Sequence, residues 1–205
     1  TDVEREGVLA VAGPGVRVEE LHNGLDADSM PQPVAHERVT VLYLARLQVR
    51  KRPMVFVEAA KELASEFPEV VFRMVGPDEG EGAAVSAAIS ASGLGDRLVW
   101  SGPADRAGCQ QAMSEADVYV LPSVDEPYPM SVLEALAARL PVVLTDTCGL
   151  APAVARADAG TVTTNDPTQI APAIRRYLAD GELRAATADR AQRLSGLRAA
   201  AHEGR

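Results

Sequence analysis

Two glutamates, Glu126 and Glu134, stand eight residues apart in the stretch Glu126-Pro127-Tyr128-Pro129-Met130-Ser131-Val132-Leu133-Glu134. Carboxylates can move protons or accept hydrogen bonds from hydroxyl groups, which makes a pair spanning a strand-to-helix junction a candidate site. Spacing alone decides nothing, because sixteen glutamates in 205 residues give about one such pair by chance. Glu58 and Glu66 are also eight apart, and in a helical stretch they read as solvated charge. A second set of residues distinguishes the first pair. Between residues 45 and 52 lie Arg46, Arg50, Lys51 and Arg52, with no acid from residue 40 to 57, in a chain of net charge −9. Arginine forks onto phosphate oxygens while lysine acts as a mobile point charge, so Arg46 and Lys51 together suit a diphosphate. The alternative is a basic turn that faces solvent or the acidic loop Asp78-Glu79-Gly80-Glu81.

The elements that must position these groups are legible from periodicity. Runs at 39–44, 70–75, 98–100, 118–121 and 142–144 predict strands, with helical patterns near 53–66, 83–92, 106–114, 130–139 and 150–157. Several strand runs are apolar throughout, as strands covered on both faces are, so the class is α/β with a doubly wound parallel sheet. A short sixth strand at 160–162 and helices over 168–178 and 182–197 follow. Residues 1–38 are punctuated by Gly13-Pro14-Gly15, Asn23-Gly24 and Pro31-Gln32-Pro33 and read as a connecting segment, with at most a strand at 16–21. Residues 39–205 form the domain.

Functional loops leave the carboxyl ends of parallel strands. Here they begin Ala45-Arg46, Gly76-Pro77-Asp78, Ser101-Gly102-Pro103 and Pro122-Ser123, and Gly76 and Gly102 permit close approach of a ligand to the backbone. Pro129 opens the helix after Glu126, so the first-turn amides of Met130 and Ser131 face the same crevice as an anion site. Glu126 then lies in the loop and Glu134 about one turn inside the helix, with phosphates between them. Carboxylates flanking a diphosphate suit the hydroxyl groups of a sugar.

Other classes are disfavoured. The length allows one compact domain, and no apolar run reaches the eighteen or so residues of a membrane span. The acidic balance is wrong for nucleic acid or an anionic membrane. Cys109 and Cys148 match no metal or redox spacing and fit a reducing cytosol. His22, His36 and His202 form no ligand cluster, and no Gly-x-Gly-x-x-Gly follows the first strand as in a dinucleotide oxidoreductase. The chain opens on Thr1 rather than Met, as a fragment or processed chain would.

The ordered set resembles the donor-nucleotide, Rossmann-like carboxyl-terminal domain of a GT-B fold, family 4 retaining glycosyltransferase. Leu44-Ala45-Arg46-Leu47 with Lys51 resembles that family's Gly-Arg-Leu and following Lys; Val75-Gly76 and Val99-Trp100-Ser101-Gly102 resemble its second- and third-strand endings. Ala116-Asp117-Val118, Pro122-Ser123, Glu126, Glu134-Ala135-Leu136-Ala137 and Pro141-Val142-Val143 continue the pattern, and His22-Asn23-Gly24-Leu25-Asp26 resembles the crossing between domains. The resemblance implies a nucleotide diphosphate sugar as donor, with Arg46, Lys51 and the amides of Met130 and Ser131 on the diphosphate. It further implies Glu134 on the ribose, Glu126 at the transferred sugar, the base near Gly102 and Pro103, no metal or other cofactor, and an acceptor domain that this chain lacks. An isolated domain of this kind is expected to be inactive. A nucleotide-sugar-binding module without catalysis and a nucleotide-sugar epimerase are the alternatives. The chain departs from the pattern at Ala45, Arg52, Pro129 and Arg139, where the family carries glycine, and Pro129 removes one backbone donor.

Overall fold

The computed structural model describes residues 2–13, 15–17 and 33–203. Six strands, β1 (Thr40–Leu44), β2 (Val71–Val75), β3 (Leu98–Trp100), β4 (Val118–Leu121), β5 (Val142–Thr145) and β6 (Gly160–Thr163), form one sheet in the order β3-β2-β1-β4-β5-β6. Every pairing is parallel. Between them run α2 (Pro53–Leu63), α3 (Gly82–Ser92), α4 (Arg106–Ser114), α5 (Met130–Ala137) and α6 (Ala151–Arg156), followed by α7 (Ile170–Ala179) and α8 (Gly181–Glu203). The sequence reading of the class and of all six strands agrees with this architecture. It did not anticipate α1 (Asp2–Ala12), whose apolar residues Val8 and Val11 are exposed. The expected strand at 16–21 and the domain-crossing motif at 22–26 lie outside the described residues, apart from Val16 and Arg17.

Two apolar layers show why the strands are apolar throughout. Val41, Tyr43, Phe72, Met74, Val118, Val120 and Val143 point to one face, with Phe56, Ala60 and Leu63 of α2 and Ile170, Ile174 and Tyr177 of α7. Leu42, Tyr119, Leu121, Val142 and Leu144 point to the other, with Leu133 and Leu136 of α5 and Val154 of α6. Alternate residues of one strand thus feed opposite layers, and each fully buried side chain of this size contributes roughly 1.5–3 kcal/mol. Glu58 and Glu66 sit outside both layers, on Lys61 (2.8 Å) and Arg175 (2.7 Å) respectively, as solvated charges do.

The strand order sets where a ligand can enter. From β1 the chain moves outward through β2 to β3, then returns to β4 on the other side of β1. The loops after β1 and β4 therefore diverge and leave a crevice at the carboxyl ends of the two central strands.

Candidate active site

Three loops are tied together around that crevice. Leu47, fully buried, anchors the loop after β1: its amide donates to Pro77 O (2.8 Å), and its carbonyl accepts from the amides of Glu79 (3.0 Å) and Glu81 (3.2 Å). The Tyr43 hydroxyl, rising from inside β1, donates toward Arg46 O (3.2 Å) and Lys51 O (3.5 Å), and holds the loop closed. Val124 N donates to Arg50 O (2.9 Å), Glu126 N to Thr147 O (3.2 Å) and Gly149 N to Glu126 O (2.8 Å), which link the loops after β1, β4 and β5. Arg52 and Asp125 take left-handed backbone angles, φ 52° and 51°, where this lacing bends most sharply.

The resulting cavity, of about 290 Å³, is lined by Arg46, Lys51, Gly76, Glu126, Met130 and Ser131, with Ala45, Pro77, Ala104, Cys109, Tyr128 and Pro129 among the rest. Lys51 and Glu126 are 8% and 6% exposed and form an ion pair. Arg46 is exposed at the rim and donates to Glu79 (3.0 Å); the acidic-loop alternative is thus present in the structure, leaving Arg46 its remaining donors. Helix α5 begins at Met130 with Pro129 as N-cap, so its amino end, with its partial positive charge, is directed at the cavity.

Gly102, Pro103 and Glu134 do not line this cavity. Gly102 supports it from behind, its carbonyl accepting from Gly76 N (2.9 Å). Glu134 lies half-buried on α5, near Arg106 and Cys109 of α4. Burial raises its carboxyl above the ordinary 4.5 and Arg106 only partly offsets this. A raised folded-state pKa means the folded chain binds the proton more tightly than the unfolded chain, so stability declines as pH climbs from the ordinary value through the raised one. Glu134→Gln is accordingly expected to raise stability at pH 7, by no more than about 1 kcal/mol because the group is half exposed, with the gain vanishing below pH 4.5. Urea unfolding at pH 4 and pH 7 checks it; an equal effect at both values would contradict the burial argument.

Several participants escaped the sequence reading. Tyr119, in the fully buried run of β4, bridges Leu44 O (3.0 Å) and Ser131 Oγ (2.8 Å) and so fixes the serine against the end of β1. Its signal is a lone hydroxyl in an otherwise aliphatic strand. The Tyr128 hydroxyl is buried with no hydrogen-bond partner among the described residues. Cys109, which matches no metal or redox spacing in the sequence, lines the cavity, but burial first and then Glu134 and Asp105 push its thiol up, away from nucleophilic use. A larger hollow of about 590 Å³ opens at the opposite end of the sheet, beside residues 33–39 and α8. Five of its charged or titratable groups pair with one another: His36 with Asp117 (2.7 Å), Arg184 with Asp117 (3.9 Å) and Arg139 with Asp189.

A six-stranded parallel sheet of this order, covered by helices on both faces and with a crevice at its reversal point, is a Rossmann-like α/β fold of the kind found in GT-B glycosyltransferases. The chain belongs to the glycosyl transferases group 1 family, whose model matches residues 26–194. It is 31% identical over 195 residues to D-inositol 3-phosphate glycosyltransferase 2 of Catenulispora acidiphila, an alignment covering 85% of this chain and 45% of that protein. The chain thus spans less than half the length of that relative. In fold it is similar to the C-terminal domain of the group 1 glycosyl transferase LpcC of Francisella tularensis, with a TM-score of 0.77, 18% identity and coverage of 85% of this chain and 97% of that one. It is likewise similar to HepE of Anabaena, with a TM-score of 0.70, 24% identity and coverage of 78% and 44%. Among the described residues no group of histidine, cysteine and carboxylate side chains is arranged to hold a metal ion, and no helix is long and apolar enough to cross a membrane.

Proposed function

We propose that this chain is the donor-binding domain of a retaining glycosyltransferase that takes a nucleotide diphosphate sugar, the acceptor site being supplied by a further domain or partner chain. The observation that carries the reading is the buried Lys51–Glu126 pair at the mouth of the reversal point, beside the amino end of α5. A lysine under a tenth exposed and adjoining a cavity is placed for an anion more than for the surface. The HepE structure holds UDP and glucose, which supports a nucleotide diphosphate as ligand here.

In this reading Lys51, Arg46 and the α5 amino end, with Met130 and Ser131, meet the diphosphate, and no metal is required. As the sugar–phosphate bond breaks, charge gathers on the leaving diphosphate, and fixed donors stabilise that state more than the ground state. Glu126 is oriented toward the transferred sugar. Glu134, on the helix flank outside the cavity, reaches the ribose hydroxyls, and the base lies toward Gly76, Gly102 and Pro103. Calorimetric titration of the chain with UDP, GDP and ADP tests the reading: at least one is expected to bind. Absence of binding to all three would falsify both the transferase-donor reading and that of a noncatalytic nucleotide-sugar module. Conversion of a donor sugar without any acceptor would instead identify an epimerase.

A further inference from the structure

A diphosphate in the cavity would compete with Glu126 for the three N–H donors of Lys51. Its ammonium is committed to the Glu126 carboxylate, and both groups are nearly excluded from water. Were Lys51 to turn toward phosphate alone, Glu126 would be left as an uncompensated buried charge close to a second anion, which is costly. A second cation closing on Glu126 would remove that cost.

The loop after β1 supplies one. Arg50 Nη2 lies 4.0 Å from Glu126 Oε2, the same oxygen that Lys51 holds. Arg50 is also anchored to the loop that carries Glu126, since its carbonyl accepts from Val124 N (2.9 Å) and its Nη1 donates to Asp125 O (3.1 Å). A small rotation of the guanidinium is then enough to close the remaining gap, because a planar fork can keep one bond while making another. The other cations of this loop are turned elsewhere. Arg46 rests on Glu79 (3.0 Å), and Arg52 on Asn165 Oδ1 (2.6 Å).

We propose that Arg50 is the positioning residue that takes over Glu126 when the donor diphosphate draws Lys51 away, making donor entry an exchange of partners on one carboxylate. This rests on the donor-site reading above. Ammonium passes from carboxylate to phosphate, guanidinium closes on carboxylate, and no buried charge is left uncovered. The exchange also leaves Glu126 held from the side of its own loop, directed at the sugar. Arg50 touches neither phosphate nor sugar, so its effect must travel through Glu126.

A double-mutant cycle reads that dependence. Titrations of the tightest-binding of UDP, GDP and ADP are made on the wild-type chain, Arg50→Gln, Glu126→Gln and the double variant. Arg50→Gln is expected to weaken binding about tenfold in the wild-type background and less than about twofold beside Glu126→Gln, where no carboxylate charge needs cover. Arg50→Lys, which restores a cation, should stay within about threefold of wild type. Melting curves establish that each variant is folded; Arg50 is 43% exposed in its side chain, and its replacement should leave the melt nearly unchanged. An equal loss in both backgrounds would overturn the exchange and show that Arg50 meets the ligand directly, and an Arg50→Gln variant that binds like wild type would overturn it outright. If the wild-type chain binds none of the three nucleotides, the donor reading itself fails and this inference falls with it.

Discussion

Lys51→Ala is expected to reduce nucleotide binding beyond detection and to destabilise the chain by less than the about 3–5 kcal/mol of an unpaired buried charge, because Arg50, 4.0 Å from Glu126, closes on the carboxylate. Both consequences have one origin. The ammonium compensates Glu126 in the free chain, and in the proposed function it compensates phosphate in the bound one. The two are separable by experiment. Lys51→Met/Glu126→Leu removes both charges, and apolar replacements of a buried pair are often neutral in stability, so the double variant should regain most of the loss in a urea titration while binding no nucleotide. In a complete enzyme the single substitution should slow transfer by roughly 3–4 kcal/mol of activation free energy, as loss of one fixed donor does elsewhere. A Lys51→Ala chain that still binds UDP, GDP or ADP with wild-type affinity would remove the diphosphate assignment.

Gly76→Ala should be the most damaging single methyl in the site, at about 4 kcal/mol or more. Gly76 has φ 149°, and a Cβ there would stand 2.0 Å from Ala45 O and 2.6 Å from Ala45 C. Neither backbone can give way. Ala45 N is bonded to Val75 O (3.1 Å) and Gly76 N to Gly102 O (2.9 Å), while the Trp100 indole donates to Gly76 O (2.9 Å). Gly102→Ala is the control: its φ is 74° but open space surrounds the site of its missing Cβ, so it should cost only the left-handed backbone penalty of roughly 1–2 kcal/mol. Chemical unfolding of both variants decides. If Gly102→Ala proves the worse of the two, the close approach of Gly76 to Ala45 is not what fixes this position.

The sheet was legible because largely apolar runs of three to six residues between helical patterns leave a chain little choice but a covered parallel sheet, and the loops after β1 and β4 followed from that class. Arg46, Lys51, Gly76, Glu126, Met130 and Ser131 converge on one cavity as expected from those loops. What stayed hidden was the pairing within them. Four cations in a row of eight residues look alike in sequence, yet Lys51 is buried against Glu126, Arg46 rests on Glu79, Arg52 on Asn165, and Arg50 waits beside Glu126. The rotation of a 3-10 turn, Val49–Lys51, decides which of them faces inward, and periodicity does not encode that. Glu134 was placed on the correct helix but on its flank rather than in the cavity, since eight residues fix a distance along the chain and not which way a side chain faces. Tyr119 was not singled out within the strand 118–121, because its hydroxyl partners, Leu44 O and Ser131, lie on other elements.

Arg52 and Arg139 hold left-handed backbone angles, φ 52° and 62°, at two positions where the resembled family carries glycine. Each also reaches across the fold: Arg52 to Asn165 beyond β6, and Arg139 to Asp189 of α8. An arginine at such a turn is strained when folded, yet its unfolded backbone roams far less than that of glycine. The chain therefore exchanges disorder in its denatured ensemble for tension in its native turns, and spends the freed side chains as struts between early and late segments of its own sequence.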